Sequence, residues 1–119
     1  SNYAGSVVLV DFWATWCGPC MEAMDDMRAM KKSMKGKNIV FIYMTSESSP
    51  KKLWETKAPT IGGEHYYLGR EAWEYTLENL GFDAVPTYLI YDRNGVLKHQ
   101  VTGYPGNEKM QAMLESLLK

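Results

Sequence analysis

Hydrophobic positions along this chain follow two periods, and the changes between them predict the elements. Val7-Val8-Leu9-Val10-Asp11-Phe12-Trp13 is apolar at nearly every position, the pattern of a central parallel strand covered on both faces. A helical segment is predicted from Gly18 to Lys35, with Gly36 as its stop signal. Within it Ala23, Met27, Met30 and Met34 recur at helical spacing as one buried stripe, its methionines serving as adaptable core filling. Ile39 to Thr45, β-branched and aromatic, reads as a second strand. Ser48-Ser49-Pro50 predicts a helix start, with a serine cap and a proline in the first turn. After Gly62-Gly63, Glu64 to Leu68 reads as a short extended piece, and Trp73, Leu77 and Leu80 mark a helix that ends at Gly81. Tyr88 to Tyr91, the turn Asp92-Arg93-Asn94-Gly95 and Val96 to Thr102 read as a hairpin. Asn107 then caps a last helix, with Met110, Met113, Leu114 and Leu117 as its core stripe. Alternating strands and helices followed by a hairpin and a helix predict an α/β fold, a three-layer α/β/α sandwich with a mixed central sheet.

Composition narrows the function classes. The 119 residues make one domain, long enough to bury about two-thirds of the surface of the unfolded chain. Apolar content of 45% with a formal charge of -1 fits a soluble globule, without the basic surplus that nucleic acid or an anionic membrane attracts. No apolar run approaches the roughly eighteen residues of a membrane-spanning helix, so no membrane contact is expected from this segment. The chain opens almost directly on a buried strand. A piece or the C-terminal domain of a longer exported protein is therefore expected, with Ser1-Asn2 a remnant of cloning. Two cysteines at this spacing fit either a reducing or an oxidising compartment.

The chemistry is concentrated where the first strand runs into Cys17-Gly18-Pro19-Cys20. With Pro19 in the first helical turn, where a missing N–H costs nothing, Cys17 sits at the helix N-terminus. Free N–H groups and the positive end of the macrodipole there favour a thiolate, so the Cys17 pKa falls below the free value of about 8.5. Each unit of that fall favours thiolate over thiol by about 1.4 kcal/mol. Cys17 is the expected nucleophile, and Cys20, one turn further in, resolves the mixed disulfide. A structural zinc site would need two more ligands, and His65 and His99 stand alone in unrelated stretches. A purely structural disulfide closing so short a loop removes little chain entropy. Asp11 has two readings: a strand-end carboxylate reaching solvent, or a buried acid whose raised pKa lets it pass a proton to and from Cys20 through water. Pro86 opens an apolar strand to whose ladder it cannot donate, which asks for an explanation.

Asp11-Phe12-Trp13-Ala14-Thr15-Trp16-Cys17-Gly18-Pro19-Cys20 resembles the active-site segment of the thioredoxin superfamily, and the resemblance extends over nearly the whole chain. The long stretch from about residue 46 to 81 resembles the inserted unit of the TlpA/ResA-like thiol-disulfide oxidoreductase branch. The resemblance favours the buried reading of Asp11. It implies that Pro86 is cis and faces the disulfide, that the Val85 backbone pairs with a substrate polypeptide like an added strand, and that Gly103 lies in a loop beside them. Ala58-Pro59-Thr60 has similar local spelling but no hairpin after it, and a trans bond is expected there. Trp16, Gly18, Pro19, Val85, Pro86 and Gly103 are the expected substrate contacts. Trp13 and Trp16 shape the apolar contact surface, Trp54 and Trp73 fill the insert core, and His65 and His99 are surface residues.

Three departures bear on mechanism. Asp25 stands where thioredoxins kink the helix with proline. Ala23 stands where many bacterial extracytoplasmic relatives carry a glutamate, with Glu22 one place early. The second strand lacks the lysine that thioredoxin pairs with its buried aspartate, which makes Asp11 harder to ionise. The resemblance implies a thiol-disulfide oxidoreductase acting on protein cysteines. Gly18-Pro19, the dipeptide of reducing thioredoxins, points to a reductant fed by an upstream electron donor. It would be a monomer in the bacterial cell envelope or periplasm, with no metal and no cofactor beyond its redox-active disulfide. Two alternatives stand beside it. A thiol peroxidase of the peroxiredoxin class would carry a proline that Ala14-Thr15-Trp16-Cys17 lacks, and a redox-inert binding module would use the groove near Pro86.

Overall fold

The computed structural model describes residues 3–119; Ser1 and Asn2, and the cloning-remnant reading with them, lie outside the described residues. In chain order the elements are β1 (Val7–Phe12), α1 (Gly18–Ser33), β2 (Ile39–Ser46), α2 (Lys51–Ile61), β3 (Glu64–Leu68), α3 (Arg70–Leu80), β4 (Thr87–Tyr91), β5 (Leu97–Thr102) and α4 (Asn107–Leu117). The strands form one sheet of order β3-β2-β1-β4-β5. β1 pairs parallel with β2 and antiparallel with β4, so the sheet is mixed as the pattern predicts.

β1 is central because both of its faces have apolar partners. Val7 and Leu9 pack with Met27, Met30 and Met34 of the first helical segment and with Met110 and Leu114 of α4. Val8, Val10 and Phe12 point the other way, toward Phe82 and the Trp73, Leu77 and Leu80 stripe of α3. Full burial of a side chain such as Met27 stabilises by about 1.5–3 kcal/mol, so the methionine stripe is what holds α1 to the sheet. A third cluster closes the end of the sheet where β1 stops. It joins Trp13, Ala14, Cys17, Cys20, Met24 and Tyr43, with Trp54 and Ile61 of α2 against it. No helix among the described residues is long and apolar enough to cross a membrane.

Local chemistry departs from the sequence pattern in four places. α1 stops at Ser33 with Met34 as its C-cap, short of Lys35, and Gly36 follows at φ 88°. The N-cap of α2 is Pro50 and no side chain caps that helix, because the neighbouring serine hydroxyls are engaged elsewhere. α2 also continues through Pro59 to Ile61. Asn107 does not cap α4. It is the helix's first residue, and its side chain donates from Nδ2 to the Asp26 carbonyl (2.7 Å) and accepts from the Tyr104 hydroxyl.

Candidate active site

β1 delivers its last residues to the helix entry through a short, fully engaged loop. The Trp13 N–H still donates to the Met44 carbonyl (3.0 Å), and the Cys17 N–H closes a turn onto the Ala14 carbonyl (3.1 Å). Cys17 is the N-cap of α1, with extended backbone at φ -89° and ψ 102°, and Pro19 lies in the first turn. Its Sγ accepts from the Cys20 N–H at 3.1 Å. A thiolate in that position takes up one of the helix's unpaired donors and the positive end of its dipole, and no acidic side chain in the first turn opposes it. The two cysteines are bonded, with Cα atoms 5.2 Å apart. Both are nearly enclosed, Cys17 at 4% exposure and Cys20 at 1%, whereas Gly18 and Pro19 are exposed.

The loop is moored by two hydroxyls that the pattern assigned to a helix cap. Ser49 Oγ accepts from the buried Thr15 N–H (2.9 Å) and bonds Thr45 Oγ1 (2.8 Å). Ser48 Oγ accepts from Trp16 Nε1 (3.1 Å), which fixes an indole that is 63% exposed beside the disulfide. Trp13 is fully buried, so the contact surface is shaped by Trp16 and not by Trp13. Trp54 packs toward the cysteine cluster and Trp73 lies 5.7 Å from Phe12, so both fasten the α2–α3 region to the sheet.

A second arm meets the first from the loop before β4. The Val85–Pro86 bond is cis and is the only cis bond among the described residues. The Val85 carbonyl oxygen lies 3.8 Å from Cys17 Sγ. The Pro86 carbonyl accepts from the Gly103 N–H at 2.8 Å, which brings the loop after β5 to the same place. Thr87 Oγ1 donates to the Ala84 carbonyl (2.6 Å) and ties down the segment on both sides of Pro86. Trp16, Trp73, Leu77 and Val85 line a cleft of about 350 Å³ between the arms.

Beneath the cysteines, Asp11 is 1% exposed and neither carboxyl oxygen has a hydrogen-bond partner in the protein. Desolvation pushes its pKa up to about 8, with the charge of Lys31 pulling the other way. That charge comes from α1, whereas β2, the neighbouring strand, has no lysine. Lys31 Nζ donates to Tyr43 Oη (2.7 Å) and to the Ile61 carbonyl (3.2 Å). Burial lowers the Lys31 pKa while Asp11 raises it. His65 lies at the surface half-buried: its ring stacks on Tyr43 at 4.9 Å, Nε2 lies 2.9 Å from the Gly62 carbonyl, and burial lowers its pKa.

Cys17, Cys20, Trp16, Gly18, Pro19, Val85, Pro86 and Gly103 thus converge on one surface, with Asp11 behind it. Ser48, Ser49, Lys31 and Tyr43 were missed as contributors. A serine pair before a proline has a local explanation as a cap, and nothing in the local pattern distinguishes Lys31 from a solvated helix lysine. Among the described residues no three His, Cys, Asp or Glu side chains are grouped as metal ligands.

Known proteins resemble this chain in sequence and in fold. The chain is 31% identical over 118 residues to the thiol-disulfide oxidoreductase ResA of Geobacillus kaustophilus, an alignment covering 98% of this chain and 66% of that protein. It is 30% identical over 100 residues to a thioredoxin of Chlorobaculum thiosulfatiphilum, covering 84% of this chain and 69% of the relative. The chain therefore spans just under two thirds of the length of the ResA protein. Among solved structures, a thioredoxin-family thiol:disulfide interchange protein from Chlorobium tepidum superposes with a TM-score of 0.79 at 20% identity, covering 99% and 83% of the two chains. The exposed lipoprotein thioredoxin of Streptococcus pneumoniae gives 0.75 at 22%, covering 98% and 88%. Both share the fold of this chain. Residues 2–118 match the thioredoxin-like domain family, and with its fold and its Cys17–Cys20 pair in agreement, the chain belongs to that family.

Proposed function

We propose that this domain is a thiol-disulfide oxidoreductase that reduces disulfides of protein substrates at the Cys17–Cys20 pair. The observation that carries the reading is the placement of Cys17 Sγ. It takes the Cys20 N–H at the start of α1 and lies 3.8 Å from the Val85 carbonyl, beside the surface where a substrate strand would lie. In the reduced form the Cys17 thiolate attacks one sulfur of the substrate disulfide. The substrate S–S bond breaks, its second sulfur leaves as a thiolate, and a mixed disulfide forms. Cys20 then passes its proton through water to the Asp11 carboxylate and attacks Cys17 Sγ. The Cys17–Cys20 bond forms as the bond from Cys17 Sγ to the substrate sulfur breaks, and the substrate leaves carrying two electrons on two thiolates, which are protonated from Asp11 and from water. An upstream dithiol donor restores the starting state.

Val85, Pro86 and Gly103 would bind the substrate backbone, and Trp16 with the Gly18-Pro19 turn would cover its side chains. Kinship with ResA and with an exposed pneumococcal lipoprotein supports a working site at the bacterial cell envelope. Cys20→Ser tests the reading by stalling the mixed disulfide. Protein adducts that are released by reductant and absent from a Cys17→Ser, Cys20→Ser double variant are expected. Recovering none would reject exchange and leave the groove near Pro86 a binding surface only.

A further inference from the structure

The chemistry assigned to Asp11 needs a means of stabilising a carboxylate that the protein leaves without a hydrogen bond. Pairing across the sheet shows where one stands. Tyr43 of β2 and Tyr88 of β4 are the register partners of Asp11, so the three side chains lie in a row on the face covered by α1. Tyr43, itself only 2% exposed, accepts at its hydroxyl from Lys31 Nζ at 2.7 Å. The ammonium is held there by three further contacts: the Ile61 carbonyl at 3.2 Å, and the faces of Phe41 and Tyr43, each 5.0 Å from Nζ to ring centre. A cleft of about 250 Å³ lined by Met24, Arg28, Lys31, Tyr43 and Ile61 opens between α1 and the end of α2.

We propose that Lys31 is a positioning residue for the exchange reaction: clamped over Tyr43, it supplies the counter-charge for Asp11 from helix α1 and so sets the pH range in which Asp11 takes the Cys20 proton. A lysine in open solvent would be screened; four contacts hold this one between ring faces and a carbonyl, half-buried on the side of the sheet row. The other groups bearing on Asp11 are Tyr43 from β2, Tyr88 from β4 and Tyr104 from the loop before α4, and Cys20 of α1 packs in the same cluster as Tyr43. All three phenols remain neutral where Asp11 titrates, because burial raises them as well. Around Lys31 itself stand Arg28, one turn back on α1, and His65 of β3. Through its bond to Tyr43, the register partner of Asp11, Lys31 is the cation placed on the Asp11 side of the sheet, where it opposes the effect of burial.

The inference rests on the oxidoreductase reading for its consequence but not for its test. The Asp11 carboxyl is titrated by carbon NMR in oxidised protein with labelled aspartate, with Asp11→Asn identifying the signal. Lys31→Met keeps the aliphatic stem and removes the charge; it is expected to raise the Asp11 midpoint by about one unit or more, tenfold in proton affinity. Lys31→Arg is expected to bring it back toward the native value. Coincident midpoints in Lys31→Met and the native protein overturn the inference, and so does an equal rise in Lys31→Met and Lys31→Arg, which would trace the effect to packing. If Lys31→Met does not fold, Lys31→Gln carries the same comparison. Loss of Cys17-dependent adducts with the Lys31 shift intact would reject the exchange reading alone. In reduced protein with both cysteines the pH profile of single-turnover reduction of a peptide disulfide is expected to move with the Asp11 midpoint, which a purely structural lysine would leave in place.

Discussion

Burial raises the Asp11 pKa from 3.8 to about 8, so one carboxyl sets stability and chemistry against each other. The unfolded chain releases this proton near pH 4 and the folded protein keeps it to about pH 8. Between those limits the folded state holds the extra proton, and raising the pH disfavours folding by about 1.4 kcal/mol per unit through this group alone. The contribution is fully present below the unfolded pKa and is lost as the pH passes through the folded one. Asp11→Asn, neutral throughout, is expected to match the native protein near pH 4 and to exceed it by several kcal/mol near pH 8. Urea unfolding of both oxidised proteins at stepped pH reads that gap, and a gap independent of pH would contradict the buried-acid assignment. The place of Asp11 at the end of an apolar run left a solvent-reaching and a buried reading open; the resemblance to thioredoxins favoured the buried one, and the side chain is 1% exposed. Its counter-charge was not legible, because Lys31 and Asp11 meet through tertiary packing of α1 on the sheet, which no local spacing encodes.

At the scale of elements, periodicity served well wherever a face is buried, as with the methionine stripe of α1 and the paired faces of β1. It failed where a polar side chain had both a local and a distant partner available. Ser49 is the clearest case: its hydroxyl can cap α2 or accept the buried Thr15 N–H, and the distant partner wins because that N–H has no other acceptor in the loop. Ser49→Ala is expected to cost about 1–3 kcal/mol by leaving that donor unpaired, measured by urea unfolding, although no helix cap is lost. The glycines between α2 and β3 give a second comparison. Both have positive φ, but a Cβ on Gly63 would come within 2.8 Å of the Phe41 carbonyl and the Tyr43 ring, whereas one on Gly62 would meet nothing within 4 Å. Gly62, at φ 79° and ψ -179°, lies in a region essentially reserved for glycine, so Gly62→Ala is expected to cost about 1–3 kcal/mol; Gly63→Ala adds a clash beside Lys31 and is expected to cost clearly more by the same assay. Equal costs would mean that β3 can slide outward without loss.

Across the whole molecule, the site is assembled from both ends of the chain. β1 and α1 bring the cysteines, and the loop before β4 and the loop after β5 bring Val85, Pro86 and Gly103. Spacing marked the Cys-Gly-Pro-Cys turn and singled out Pro86 at a strand start, each for its own physical reason; that Val85, Pro86 and Gly103 lie together beside the cysteines followed only from the resemblance to the thioredoxin superfamily. The direction of electron flow has no such local signature, because it depends on how this whole environment weighs dithiol against disulfide. Equilibration in graded thiol/disulfide buffers reads it directly. A reducing domain is expected near thioredoxin's value of about -270 mV, and a value of about -120 mV, that of a strongly oxidising relative of the fold, would reverse the proposed direction.

The hydroxyls of Ser48 and Ser49 also limit what can be exchanged between relatives. Because they hold Trp16 and Thr15 from the first turn of the stretch that leads into α2, that stretch is not a cassette that can be lifted out between β2 and β4. A graft that replaced residues 46–81 with a foreign segment would keep both cysteines and every cap of α1, yet release the loop that aims them. The joint for such chimeras belongs after Ser49.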